Sequence, residues 1–200
     1  MSGESYSSDQ LFDLVMKDKN YFDLSGGGVT FSGGEPLLQP VFLKAILKKL
    51  KRYNIKTAIE TAGYCQRDVF SEIAPYTDMF MFDIKHIGEK EYKDGTGVGV
   101  SRIIGNLAYL SRIHGDILVR IPLIPGYNMN KKTLDRIVMT IKKFNLQYVQ
   151  LVPYHDYGLV KYDSLGEKYE LNGLKKPSDN KLKELKEYLG KNISVGIMNA

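Results

Sequence analysis

Cysteine is nearly absent from the sequence. Cys65 is the only one among 200 residues. A single thiol excludes an internal disulfide framework, and it excludes any multi-cysteine metal site built from this chain alone. Long apolar runs are missing too. No stretch approaches the roughly 18 residues that a membrane-spanning helix needs. The amino-terminal run Met1-Ser2-Gly3-Glu4-Ser5-Tyr6 has neither the basic nor the apolar region of a signal peptide, so a cytoplasmic location is expected. Charge of one sign is not concentrated. The net charge is +5, and the densest lysine run, around Lys175-Lys176 and Lys181 to Lys186, reads as a solvated helix face. Basic residues interleaved with aromatics on one face, as a nucleic-acid site requires, are not evident. Neither nucleic acid nor membrane is therefore expected as a partner.

With 43% hydrophobic residues the chain can bury a substantial core, and its length makes a single domain over residues 1–200 the default. Apolar runs alternate with helical patterns. The spacing predicts a helix over 8–22 capped by Ser8, a strand near 28–31, and a helix begun by Pro40 with Val41, Phe42, Ala45, Ile46 and Leu50 on its apolar face. Strands follow at 56–61, 78–85, 116–123, 147–152 and 193–197. Helices are expected at 66–74, around 103–113, over 131–144 behind an Asn130 cap, and from Ser178 or Asp179 to Leu189; residues 156–177 read as irregular. Such alternation, with strands that are near-continuous apolar runs, indicates a parallel sheet covered by helices. About six units are too few for an eight-fold barrel. The expected fold class is α/β, an open or partial (β/α) barrel, with a doubly wound sheet as the alternative.

One stretch organises the rest: Gly26-Gly27-Gly28-Val29-Thr30-Phe31-Ser32-Gly33-Gly34-Glu35-Pro36. Glycines let a ligand come against the main chain, and Pro36 pushes Glu35 out of the helical region. The stretch thus reads as a loop that could hold a small molecule by its backbone, or as a turn with glycines at its corners. In β/α barrels the chemistry gathers at the C-terminal ends of the strands. Here those ends read Ser32 to Glu35, then Glu60-Thr61-Ala62-Gly63, Asp83-Ile84-Lys85-His86, Arg120 with Pro125-Gly126, and Tyr154-His155. All carry polar, titratable or glycine-rich groups above apolar strand bodies, which points to a ligand site. Each also has a plain structural reading. Asp83 and Lys85, two apart, could be an ion pair; Glu60 could cap a helix; His155 could be a satisfied loop histidine; Arg120 could be a surface residue with a buried stem; Met81 and Phe82 could be core; Tyr154, Tyr157 and Tyr162 could pack a long loop.

Taken together, the segments at 26–36, Glu60-Thr61-Ala62-Gly63-Tyr64, Phe82-Asp83-Ile84-Lys85, Arg120-Ile121-Pro122-Leu123-Ile124-Pro125-Gly126 and 151–158, leading to Gly166-Glu167-Lys168-Tyr169, resemble the activating enzymes of glycyl radical enzymes, of the pyruvate formate-lyase activating type, in the radical S-adenosylmethionine (SAM) superfamily. The resemblance runs from about residue 8 to the end. It implies a partial (β/α) barrel of the radical SAM type. Ser32, Gly33, Gly34 and Glu35 match the motif that receives the methionyl amino group. Asp83, Ile84, Lys85 and His155 match positions that bind SAM, and Arg120 matches a residue near the reacting centre, the candidate catalytic position. Glu60, Thr61, Met81 and Asp83 match a monovalent-cation site; family members often carry Asp where this chain has Glu60. The implied activity is reductive cleavage of SAM to methionine and a 5′-deoxyadenosyl radical, which takes a hydrogen atom from one glycine of a partner enzyme. The implied cofactors are SAM and a [4Fe–4S] cluster. The implied partners are a glycyl radical enzyme and an electron donor such as flavodoxin or ferredoxin.

The chain departs from that family in one respect. Its Cys-x3-Cys-x2-Cys cluster motif does not occur in these residues, and the matching region begins just downstream of where the cluster loop would end. The expectation is therefore a carboxy-terminal portion of a longer enzyme, without the first strand and cluster loop and inactive alone, whose unpaired sheet edge favours dimerisation. Two other readings compete: a barrel lyase using Lys85 as Schiff-base nucleophile, and a non-catalytic module that docks a partner through the tyrosine-rich loop.

Overall fold

The computed structural model describes residues 4–155 and 173–198. Six strands alternate with helices: β1 (Gly28–Phe31), β2 (Lys56–Thr61), β3 (Met79–Asp83), β4 (Ile117–Leu123), β5 (Tyr148–Pro153) and β6 (Ser194–Ile197). They lie in one sheet in sequence order, β1 to β6. A doubly wound sheet would reverse its strand order at a switch point, so the α/β expectation holds in its partial-barrel form. β1 and β6 stand at opposite ends of that order. The chain divides into two compact units, residues 1–83 with 101–118, and residues 84–100 with 119–200.

The first unit contains β1 to β3, paired in parallel. Phe31 is level with Ile59, and Ile59 with Phe80. Alternation sorts their side chains. Thr57, Ile59, Thr61, Phe80 and Phe82 are buried on one face, which helices cover. Phe70, from helix Arg67–Ile73, sits 5.9 Å from the ring of Phe80 and 6.4 Å from that of Phe82. Burying each such ring contributes roughly 1.5–3 kcal/mol. The other face carries Thr30, Ser32, Ala58, Glu60, Met79, Met81 and Asp83, all exposed or half-buried.

Helix Pro40–Arg52 begins at Pro40 as expected, because the first turn needs no backbone donor there. Its buried face is Leu43, Ile46, Leu47 and Leu50. Val41, expected inside, is 84% exposed: a stripe anchored on Ile46 and Leu50 runs through 43 and 47, and 41 falls outside it. The expected helix over 8–22 is two helices, Ser8–Met16 and Lys19–Ser25. The first is capped by Ser7 rather than Ser8, because Gln10 completes a reciprocal capping box with Ser7.

In the second unit β4, β5 and β6 are parallel, with Arg120 level with Gln150 and Gln150 level with Gly196. Helices Lys131–Lys142 and Asp179–Gly190 are capped by Asn130 and Ser178 as expected, and they pack on each other. Helix Glu89–Thr96 runs through Gly95 and stops at Gly97, which is left-handed at φ +77°. Of the tyrosine-rich segment, Tyr154 and His155 are described, whereas Tyr157, Tyr162 and the run at 166–169 lie outside the described residues.

Candidate functional site

The loop that ends β1 is open. A methyl group built on Gly33 or Gly34 would meet nothing within 4 Å, and Gly33 is at φ +122°, a conformation that favours glycine. Glu35 is extended, at φ −140° and ψ 106°, as its position before proline requires. Its carboxylate turns onto the protein. Oε1 accepts hydrogen bonds from the Thr61 hydroxyl (2.7 Å) and the Leu37 N–H (3.2 Å), and Oε2 accepts one from the Ala62 N–H (2.9 Å). The Leu37 bond caps the short 3₁₀ turn Pro36–Leu38. The other two tie the glycine loop to the top of β2. Glu35 is thus a brace, with three hydrogen bonds already directed at its two oxygens.

The top of β2 is held from a second side. The Gly63 N–H donates to Thr61 Oγ1 (2.8 Å), so the Thr61 hydroxyl, 2% exposed, is engaged as donor and acceptor. Gly63 has φ +73°, and a methyl group there would lie 2.1 Å from Phe82 Cζ. Only glycine fits that corner. Asn106, on helix Val100–Ile113, donates through Nδ2 to the carbonyls of Gly63 (2.8 Å) and Cys65 (3.0 Å). Sequence inspection missed Asn106. The signal was available: it sits on the apolar stripe of Ile103, Leu107 and Leu110, and a buried polar group in such a stripe must have partners.

Glu60 and Thr61 are neighbours with different surroundings, because successive strand residues face opposite sides. Thr61 is buried, while Glu60 lies on the open face, where its Oε2 accepts a 3.1 Å hydrogen bond from the Ser32 hydroxyl. Met81 and Asp83 are half-buried on that same face of β3. Of the residues matched to a cation site, three therefore present side chains to the open face. No group of three or more His, Cys, Asp or Glu converges on one point among the described residues.

In the second unit, Ile84 is buried, and its N–H donates to the Arg120 carbonyl (2.9 Å). Arg120 is only 7% exposed. Lys85 lies past the end of β3; it is half-buried like Asp83, with the buried Ile84 between them. His86 is buried; its Nδ1 accepts from the Gly88 N–H (3.0 Å), its Nε2 faces Thr133 Oγ1 at 3.4 Å, and its ring lies 5.2 Å from that of Tyr127. It is a satisfied interior histidine with Nε2 carrying the proton. The Tyr154 N–H donates to the Leu123 carbonyl, and the exposed His155 follows it.

Cys65 is buried, and its thiol is pushed up to about 12, first by burial and then by the carboxylates of Glu35 and Asp68. Metals bind the thiolate, so this site disfavours the ligating form.

Parallel strands in sequence order, helices on the covered face, and a glycine loop and carboxylates at the carboxyl ends of the strands define an α/β protein of the partial-barrel kind, the class in which chemistry gathers at the strand tops. Residues 2–137 match the radical SAM superfamily. Two relatives give the match more detail. The trans-4-hydroxy-L-proline dehydratase activating enzyme of Clostridioides difficile is 37% identical over 187 residues, covering 92% of this chain and 62% of that protein. The pyruvate formate-lyase-activating enzyme of Clostridium pasteurianum is 38% identical over 188 residues, covering 94% of this chain and 79% of that protein. The crystal structure of a domain of pyruvate-formate lyase-activating enzyme from Bacteroides vulgatus superposes with a TM-score of 0.72 at 24% identity, covering 86% of this chain and 99% of that one, and shares the fold. The chain belongs to the radical SAM superfamily, and within it to the glycyl radical enzyme activating enzymes. It spans 62% of the length of the C. difficile relative.

The superfamily uses SAM and a [4Fe–4S] cluster. The two fit these residues differently. The open backbone at Gly33-Gly34 suits the amino-acid end of SAM, because main-chain carbonyls can reach an ammonium where no side chain intervenes. The cluster does not fit: the one thiol present is buried and held protonated, and one sulfur cannot replace the several that such a cluster needs.

Proposed function

We propose that the chain is the SAM-binding part of an enzyme that generates a glycyl radical on a partner enzyme by reductive cleavage of SAM. The observation that carries this reading is the glycine loop Ser32 to Glu35, open at both glycines and braced to β2 through Glu35. Backbone carbonyls of Ser32 to Gly34 receive the methionyl ammonium. Glu60, on the same face as Ser32, supplies nearby negative charge beside that of Glu35. Glu60, Met81 and Asp83, with Thr61, form the monovalent-cation site. Asp83, Ile84, Lys85 and His155 contact SAM, and Arg120 acts next to the reacting centre. When bound, SAM supplies the radical chemistry; the protein positions and shields it.

The partner in this reading is a glycyl radical enzyme presenting a glycine loop, with flavodoxin or ferredoxin as electron donor. The expected location is cytoplasmic; no helix among the described residues is long and apolar enough to cross a membrane. β1 at the end of the sheet order offers a strand edge for self-association.

Titration of the chain with SAM, followed by calorimetry and by amide chemical shifts, tests the proposal. Saturable binding at one site, with the largest shifts at Ser32 to Gly34, is expected. Absence of binding, or shifts confined to the opposite ends of the strands, would overturn it.

A further inference from the structure

Asn128 is fully buried and uses both ends of its side-chain amide. Nδ2 donates to the Lys85 carbonyl (2.7 Å) and to the Pro122 carbonyl (2.6 Å). Oδ1 accepts from the Ile124 N–H (2.7 Å). Both donors of the amide are spent. The bonds join two loops that are 43 and 6 residues away from Asn128 along the chain. One is the segment after β3 that carries Lys85. The other is the end of β4, two residues beyond Arg120. The neighbouring main chain reinforces the joint, because the Asn128 N–H donates to the Ile124 carbonyl (3.1 Å) and its carbonyl accepts from the Asn130 N–H (2.9 Å). On the far side of Lys85, His86 is fixed by Gly88 and Thr133. Lys85 therefore sits between two anchored points.

We infer that Asn128 is a positioning residue: it clasps the segment that follows β3 to the carboxyl end of β4 and thereby sets where Lys85 stands. Neither aspartate nor alanine would do this in the same way. Aspartate would keep an acceptor for Ile124 but turn an oxygen toward two carbonyls. Alanine would leave two buried carbonyls and one N–H without partners. Sequence reading passed over this residue because an asparagine two positions after Pro-Gly is ordinary turn chemistry.

The inference uses the SAM reading only in giving Lys85 a ligand, so its test has two separable arms. Amide exchange on the full chain is the first. In the wild type, the Ile124 N–H should exchange with the slow core amides, since its acceptor is a buried side chain. Exchange at the rate of an open loop would overturn the clasp, and this holds even if every variant fails to fold. In Asn128→Asp, the amides of Ile84 to Gly88 should exchange about tenfold or more faster, while Ile124 stays protected. In Asn128→Ala all of them should accelerate. Unchanged exchange over 84–88 in a folded Asn128→Asp variant would overturn the inference.

The second arm is SAM affinity, compared with Tyr188→Phe, which removes an ordinary hydrogen bond to Asp135 and serves as a stability control. Asn128→Asp should weaken SAM binding about tenfold at matched stability, whereas Tyr188→Phe should leave it unchanged. Equal affinity in both would refute positioning. A wild-type chain with no SAM affinity would overturn the proposed function, and the exchange arm would still decide the clasp.

Discussion

Glu35 offers the sharpest test of how the glycine loop is held. Its carboxylate accepts from Thr61 Oγ1 at 2.7 Å, from the Ala62 N–H at 2.9 Å and from the Leu37 N–H at 3.2 Å. Glu35→Gln keeps the length of the side chain and one oxygen. It also places an NH₂ group against a set of donors, so one contact becomes donor facing donor. A hydrogen bond to a charged group contributes roughly 1.5–3 kcal/mol, and partial access of water to this loop argues for the lower half of that range. For a chain of this size, about 2 kcal/mol lowers the melting temperature by roughly 4–8 °C. Amide exchange should localise the loss to Leu37, Ala62 and Gly63. SAM affinity should fall with it, because the loop carrying Gly33 and Gly34 has lost its brace. If Glu35→Gln melts at the wild-type temperature, exchanges normally at Ala62, and still loses SAM, Glu35 meets the ammonium directly and the bracing role is wrong.

Cys65 should resist alkylation at pH 8 in the folded chain and react stoichiometrically after denaturation, as a thiol count with iodoacetamide would show. Because its folded pKa is raised from 9.0 to about 12, the stability that this group contributes is complete below pH 9 and is lost as the pH rises from 9 toward 12; Cys65→Ser should flatten denaturation midpoints over that window. Asn106→Ala should leave two buried carbonyls unsatisfied, cost about 1–3 kcal/mol, and make Cys65 alkylatable at pH 8. Gly63→Ala combines a left-handed backbone with a methyl group 2.1 Å from Phe82, so it should destabilise by about 2–5 kcal/mol, measured by urea denaturation.

Much of the fold was legible because its signals are local. Pro40, Asn130 and Ser178 mark helix starts by chemistry that does not depend on the rest of the chain. The six apolar runs became the six strands, and they line up in sequence order, as right-handed crossovers repeated without reversal would place them. Elements went astray where two local signals competed. Ser7 and Ser8 both suit a cap, and only the position of Gln10 decides between them. Residues 8–22 look continuous until the Lys17-Asp18 break is placed. At the candidate site the residue types were readable, but their employment was not. Nothing in Gly-Gly-Glu-Pro says that the carboxylate reaches 27 residues ahead to Ala62. Asn106 could be read as a polar residue in an apolar stripe, but the carbonyls it meets could not, and Asn128 in its turn gave no signal at all: a buried amide declares its role only when its distant partners are known.

The polar groups at the strand ends divide by what surrounds them. Thr61, Asn106, Asn128 and His86 are buried with their hydrogen bonds directed into the protein, and unmaking any of them would leave an orphaned group in the interior. They hold loops. Ser32, Glu60, Met81 and Asp83 lie on the open face of β1 to β3, the face to which the proposed ligand site is assigned. Strand alternation alone separates Glu60 from Thr61, so two adjacent residues of one motif face opposite sides of the sheet. Glu35 is the instructive exception, a carboxylate in the loop most suited to a ligand that spends its charge on the protein. A negative charge ringed by N–H and O–H donors stiffens the loop without competing with the main-chain carbonyls beside it. The glycines stay accessible because Glu35 is not.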